Sequence, residues 1–119
     1  MIREGKTRSL IVKEGVTIER GDLVGHMQDG QAIPATNTAG LVVLGHAKNT
    51  VTGDGAKTID IESTCAVFTN GVDSQELTQA DLNHVCYVVD AKTVGKTATE
   101  SIIAGSVFAI DADGVWVIV

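Results

Sequence analysis

Glycine, rather than proline, divides this chain into short segments, and this division limits what it can fold into. Thirteen glycines and one proline are spread over 119 residues, and the pieces between them are about as long as ordinary β-strands. Many pieces are rich in Val, Ile and Thr, which favour the pleated, half-buried surface of a sheet. The pattern predicts nine strands: Ser9–Lys13, Leu23–Met27, Gln31–Ala35, Leu41–Lys48, Lys57–Glu62, Ala66–Thr69, Val85–Asp90, Ser106–Asp111 and Val115–Val119.

Turn signals separate these strands. Asp29-Gly30 and Asp113-Gly114 each stand between two apolar segments, an arrangement typical of a two-residue hairpin turn. Pro34 has no amide proton, so its strand should lie at a sheet edge or end there. Thr78 and Asp81 have the spacing of a capping box, which predicts one or two helical turns between residues 73 and 83. Together these signals predict an all-β fold, a compact antiparallel β-barrel or sandwich of short strands with one short helix.

Length and composition predict one domain with one core. A chain of 119 residues matches the usual size of a single domain. Only four side chains are aromatic, so the core must consist mainly of Val, Ile, Leu and Ala. Cys65 and Cys86 lie in apolar runs and are expected to be buried free thiols, as in a protein folded in a reducing cytoplasm. We expect neither a secretory signal nor a membrane span, because the start is polar and the apolar runs are short.

Charge is distributed unevenly along the chain. Residues 1–20 contain five basic and three acidic side chains, whereas the rest contains four lysines and twelve acids, for a formal net charge of −6. An acidic body repels phosphates, so binding to nucleic acid is disfavoured. The basic start is either a solvated first strand or an arm that docks on an acidic partner.

No catalytic or metal-binding motif is complete. His26 and His46 each follow a glycine at the end of an apolar strand, and a metal site shared with a cysteine is the less favoured alternative to hydrogen-bonded polar histidines. Gly95-Lys96-Thr97 lacks the first glycine of a phosphate-binding loop, and residues 111–114 fit a hairpin turn better than a calcium loop. We therefore expect no enzyme activity, no cofactor, no metal and no small-molecule substrate.

The last predicted strand is apolar on both faces. Trp116 and Ile118 alternate with Val115, Val117 and Val119, and a sandwich strand buries only one face against its own core. An exposed strand of this kind would invite aggregation. We expect the second face to be covered by another part of this chain or by another subunit. Trp116 is accordingly either a core residue or an intersubunit anchor.

Two blocks of sequence carry a resemblance to a known family. The early block contains "GDLV", "PAT" and "LG.A" within residues 13–47, and the late block contains "YVVD..TV" and "AG.V..ID.DGVWV" within residues 81–117. In this order, over residues 13–119, the chain resembles the head decoration, or cement, proteins of tailed bacteriophages. His84 and Cys86 are small departures from the pattern.

The resemblance implies a non-enzymatic protein that binds the outer surface of a phage head and stabilises the lattice of the major capsid protein against internal DNA pressure. The implied partner is the major capsid protein, the implied assembly is a homotrimer, and the implied location is the outside of a virion made in a bacterial cytoplasm. Residues 1–12 would be an N-terminal arm that contacts the capsid or a neighbour, and residues 13–119 the decoration domain. The hypothetical capsid contacts are Ile2, Arg3, Lys6 and Arg8; the hypothetical intersubunit contacts are Val115, Trp116 and Val117.

Two other classes of protein remain as alternatives. A small structural β domain of a phage tail or fibre would have the same composition and the same lack of catalytic motifs. A ligand-binding β-barrel would need a deep pocket lined by polar groups, and the apolar runs of this sequence contain few. His26 and His46 side by side in a dry pocket would favour that alternative.

Overall fold

The computed structural model describes residues 7–97 and 102–119, which form twelve β-strands and two single turns of 3₁₀ helix. The predicted all-β fold is confirmed. The strands are β1 (Thr7–Ile11), β2 (Thr17–Ile18), β3 (Leu23–His26), β4 (Ala32–Pro34), β5 (Val42–Ala47), β6 (Val51–Thr52), β7 (Thr58–Glu62), β8 (Cys65–Asn70), β9 (Val85–Asp90), β10 (Thr93–Gly95), β11 (Ile103–Asp111) and β12 (Gly114–Ile118). No helix in these residues is long and apolar enough to cross a membrane.

The strands form two main sheets that follow one another along the chain. The first sheet is antiparallel, in the order β1-β7-β5-β3-β4, and a single bridge between Val12 and Ala32 joins its two edges. Strands β2 and β6 form a small ribbon beside it. The second sheet is a closed five-stranded barrel in the order β10-β8-β12-β11-β9, antiparallel except between β8 and β10. Both expected hairpins join neighbouring strands, but neither Asp-Gly pair forms the predicted two-residue turn. Residues 27–31 connect β3 to β4, and the turn between β11 and β12 consists of Ala112 and Asp113, because Gly114 already pairs with Asp111.

The interior contains two hydrophobic clusters, so the expectation of one core is wrong. Strands this short contribute only two or three inward side chains each, and each sheet therefore encloses its own small cluster. Three residues from the strands and loops of the first sheet, Leu23, Ala35 and Leu41, pack in the cluster of the second sheet. The two sheets therefore share apolar contacts. The first cluster comprises Val12, Ile18, Val24, Ala32, Ala47, Ile59 and Ile61. The second also contains Phe68, Leu77, Cys86, Val88, Val94, Ala104, Val107, Val115 and Val117.

The predicted helix is instead two separate 3₁₀ turns, Asp73–Gln75 and Gln79–Asp81. The capping interaction is present, because the Asp81 carboxylate accepts the Thr78 amide at 2.8 Å. Between the turns, the Asn70 side chain hydrogen-bonds both the amide and the carbonyl of Leu77 at 2.9 Å. Glu76 and Thr78, on either side of buried Leu77, have extended backbone, so the two turns do not join into one helix.

Residues 7–12, which the sequence placed in an N-terminal arm, belong to the first sheet. Strand β1 pairs with β7 from Thr7↔Glu62 to Ile11↔Thr58, and Val12 is fully buried. Strand β1 lies at the sheet edge. Residues 1–6, and with them Ile2, Arg3 and Lys6, lie outside the described residues.

Candidate functional site

The barrel presents an apolar surface to the outside, built from alternate residues of four strands. Val115 and Val117 point into the barrel and are fully buried, so Trp116 and Ile118 of the same strand point outward. Trp116 lies opposite Val67 on β8 and Ala109 on β11, in register. We define the outer barrel face as Val67, Val85, Ile103, Phe108, Trp116 and Ile118.

Exposure of large apolar side chains is concentrated on this face. Nine such residues are exposed in the described parts of the chain, and five of them belong to the outer barrel face. Phe108 is 59% exposed and Ile118 49%. Single exposed apolar residues are ordinary on protein surfaces, but a contiguous group marks an interaction site or an aggregation liability.

A hydrogen bond fixes the orientation of Trp116. Its indole Nε1 donates to Asp111 Oδ2 at 2.9 Å, and Asp111 Oδ1 accepts the Asp113 amide in the hairpin turn at 2.9 Å. The indole NH is thereby satisfied within the chain, and the ring lies half-buried on the outer face. The ring is held in place before any partner binds, which lowers the entropy cost of binding.

A β-bulge turns Phe108 outward. Val107 pairs with Val117 and Ala109 with Trp116, so Phe108 is the extra residue on β11. Val107 is buried and Ile110 packs against the core, whereas Phe108 is exposed. A regular strand would place Phe108 and Ile110 on the same face; the bulge separates them. Bulges commonly re-aim a side chain next to functional sites.

The structure separates the residues of the two site hypotheses. Of the intersubunit set, Trp116 lies on the outer barrel face, whereas Val115 and Val117 are core residues without exposed surface. Of the capsid-contact set, Arg8 is described; it is exposed on edge strand β1, opposite Ile61. The role of these residues in binding stays a prediction.

The two cysteines differ in exposure, so the expectation that both are buried is wrong for Cys65. Cys65 is exposed at an outward position of β8, opposite Ile118, while Cys86 is buried in the barrel. Burial raises the pKa of the Cys86 thiol to about 11, which keeps it protonated and unreactive. Both thiols are free, and Cys65 can report on access to the outer barrel face.

The histidines do not converge on one site. Strands β3 and β5 pair with His46 opposite Leu23 and His26 opposite Val42, which places the two rings at opposite ends of the ladder. His26 Nδ1 lies 2.7 Å from the Met27 carbonyl, and His46 Nε2 lies 3.0 Å from Thr64 Oγ1. Within residues 7–97 and 102–119, no three His, Cys, Asp or Glu side chains are grouped as metal ligands would be.

His46 makes stability depend on pH. Burial lowers the pKa of its ring below the ordinary value of 6.5, partly offset by Glu62 opposite it. Since the unfolded chain binds the proton first, we expect the free energy of unfolding to fall as the pH drops from 6.5 through the folded pKa, by at most about 1.4 kcal/mol per pH unit. Urea unfolding between pH 5 and 8 of the wild type and of His46→Gln measures this. An identical pH dependence in the variant would contradict the assignment to His46.

A cleft of about 270 Å³ lies between the two sheets, lined by Arg20, Gly21, Asp22, Val67, Phe68, Thr69, Lys92 and Asp113. Lys92 Nζ donates to Asp22 Oδ1 at 2.6 Å and to Glu19 Oε2 at 3.0 Å. These bonds, that to Asp22 first, raise the pKa of Lys92 above its usual value. Nearby, the Leu23 amide donates to the Ala91 carbonyl at 2.7 Å. The Lys92 charge is thus neutralised by this chain's own carboxylates, and the wall of the cleft is a joint between the sheets.

Part of the outer barrel face was visible in the sequence. The two-faced apolar pattern of residues 115–119 predicted that a surface around Trp116 would need a cover. The sequence does not indicate that Val67, Val85 and Phe108 face outward, because their direction depends on the strand register and on the bulge in β11.

Comparison with known proteins provides no match. No protein-family model matches this chain, and no curated protein or solved structure is significantly similar to it.

Proposed function

We propose that this protein decorates the head of a tailed bacteriophage, binding the outside of the shell and stabilising the major capsid protein lattice against internal DNA pressure. It acts without catalysis, as a homotrimer, on a virion assembled in the bacterial cytoplasm. The observation that carries the proposal is the outer barrel face, a preorganised apolar surface suited to assembly into a larger structure, on an otherwise acidic protein. The order of sequence motifs over residues 13–119 supports the same class of protein.

The architecture suits a bracing role. Two sheets joined by shared apolar contacts and by the Asp22–Lys92 pair form a body that can transmit force between bound neighbours. Several copies that contact each other and the shell gain affinity through effective concentration, so each single contact can be small. Edge strand β1 offers a second binding element, since a sheet edge can pair with a strand of another protein.

Co-sedimentation with shells of the phage's own major capsid protein, before and after expansion, tests the proposal. We expect saturable binding at a whole-number ratio to capsid subunits, and shells that resist heat better when coated. Absence of binding to both kinds of shell would overturn the proposal. Binding to purified tails or fibres instead would identify the protein as a tail component.

A truncation tests the proposed capsid contacts. Removing residues 1–6 leaves β1, which begins at Thr7, available to pair with β7. If Ile2, Arg3 and Lys6 contact the shell, the truncated protein should unfold at the wild-type urea concentration but bind shells at least about tenfold more weakly. Arg8→Ala should weaken binding in the same direction. Wild-type shell affinity of the truncated protein would contradict the arm hypothesis.

A further inference from the structure

We propose that copies of this chain contact each other through the outer barrel face, with Phe108 and Trp116 as the central anchors. The inference deepens the proposed function and rests on it for its setting, because it names the surface by which decoration subunits would join. In the set of intersubunit contacts predicted from the sequence, Val115 and Val117 are buried in the barrel. The inference assigns the contact to residues whose side chains are available to a partner.

The face is continuous across neighbouring strands. One row runs from Val67 on β8 to Trp116 on β12 and Ala109 on β11, with Phe108 beside it on the bulge. The next row runs from Cys65 through Ile118 to Ser106 and Val85. Laterally adjacent strands lie about 4.8 Å apart, so side chains along each row are in reach of one another.

The low charge of the outer barrel face permits contact between two copies of an acidic chain. Strands β8, β9, β11 and β12 contain only two charged residues, Asp90 and Asp111, and each is the last residue of its strand. Asp111 is already engaged by the Trp116 indole. The chain as a whole carries a net charge of −6, so two copies repel each other over most orientations. Placing the outer barrel faces of neighbouring copies around the axis of the proposed trimer brings together the part of each copy with the fewest charged side chains.

The area of the face also suits self-association. Five side chains that are each roughly half exposed, together with Trp116, present on the order of 400–500 Å² of apolar surface. A stable interface buries about 800 Å² per partner, of which about 65% is apolar in homodimers, or roughly 500 Å². The face provides about this apolar area in total, spread over four of the five strands around the barrel.

Sedimentation equilibrium of the purified full chain, from roughly 1 to 500 µM, tests the inference. We expect concentration-dependent association of the wild type. Phe108→Glu should weaken it at least about 30-fold, because a carboxylate would replace a central anchor. Val42→Glu is the matched control: Val42 is 53% exposed but lies on β5 of the first sheet, and its variant should associate like the wild type.

Cys65 provides a readout that needs no substitution. Because it lies opposite Ile118 on the same face, its rate of maleimide labelling should fall as the protein concentration rises. A wild type that stays monomeric with a constant labelling rate overturns the inference, as does unchanged association of Phe108→Glu.

Shell binding separates this inference from the proposed function. Shell binding by a protein that never self-associates refutes the assignment of the face and leaves decoration standing. Self-association through the face without binding to any shell refutes decoration and leaves the assignment standing.

Discussion

Gly105→Ala should lower the free energy of unfolding by about 3 kcal/mol, a large effect for one added methyl group. Gly105 lies in β11, opposite Cys86 of β9. A Cβ atom there would overlap the carbonyl oxygen of Ile118 and come within 2.8 Å of a Val117 methyl group. The obstacle is backbone of β12, which cannot rotate away, so β11 and β12 would have to separate. Guanidinium unfolding monitored by Trp116 fluorescence measures the change.

Gly30→Ala is the matched control for this prediction. Gly30 has a φ of +72° in the β3–β4 hairpin turn, and an added Cβ would meet nothing within 4 Å. Its replacement should cost about 1–2 kcal/mol through the left-handed backbone alone. If Gly105→Ala costs no more than Gly30→Ala, β11 and β12 are not packed as closely as described. A larger cost would show that β11, which positions Phe108, is held rigidly.

Local signals in the sequence were enough to predict most of the strands. Glycine spacing and β-branched content found all nine predicted strands to within a few residues, and Asp-Gly pairs found two hairpins. Strands β2 and β6 contain two residues each, too few for any periodicity to appear. Strand β10 has three residues and follows β9 almost directly, so no turn motif in the sequence predicts it.

Features that depend on pairing could not be predicted. An alternating strand places Phe108 and Ile110 on one face, and only the register with β12 shows the bulge that separates them. Cys65 sits in an apolar run that suggested full burial, yet its strand has an open outer side. The direction of Trp116 could not be predicted either, because the alternation of residues 115–119 indicates two apolar faces but not which of them the barrel encloses. The inward face turned out to be that of Val115 and Val117.

Lys92→Met should destabilise the protein by about 1–3 kcal/mol, because it removes the charged partner of a nearly buried carboxylate. The Asp22 side chain is 6% exposed; with Lys92 gone, its remaining hydrogen bond is that from the Glu19 amide at 3.0 Å. We place the expected cost below that of a fully buried pair because the Lys92 side chain is 57% exposed, which lets water replace part of the lost interaction. Urea unfolding at pH 7 measures the loss.

The matched control and the pH dependence make the assignment to this pair specific. Lys48→Met removes a lysine 3.9 Å from Glu62 at an exposed site and should cost less than about 1 kcal/mol. The stability lost in the double variant Asp22→Asn, Lys92→Met should differ from the sum of the losses in the two single variants by about 1–2 kcal/mol. The pKa of Lys92 is raised from 10.5, so its stabilisation is fully present below pH 10.5 and is lost as the pH rises through the folded pKa. The difference between wild type and Lys92→Met should therefore shrink above pH 10.5. Additive costs, or a Lys48→Met variant as unstable as Lys92→Met, would show that the joint between the sheets does not depend on this ion pair.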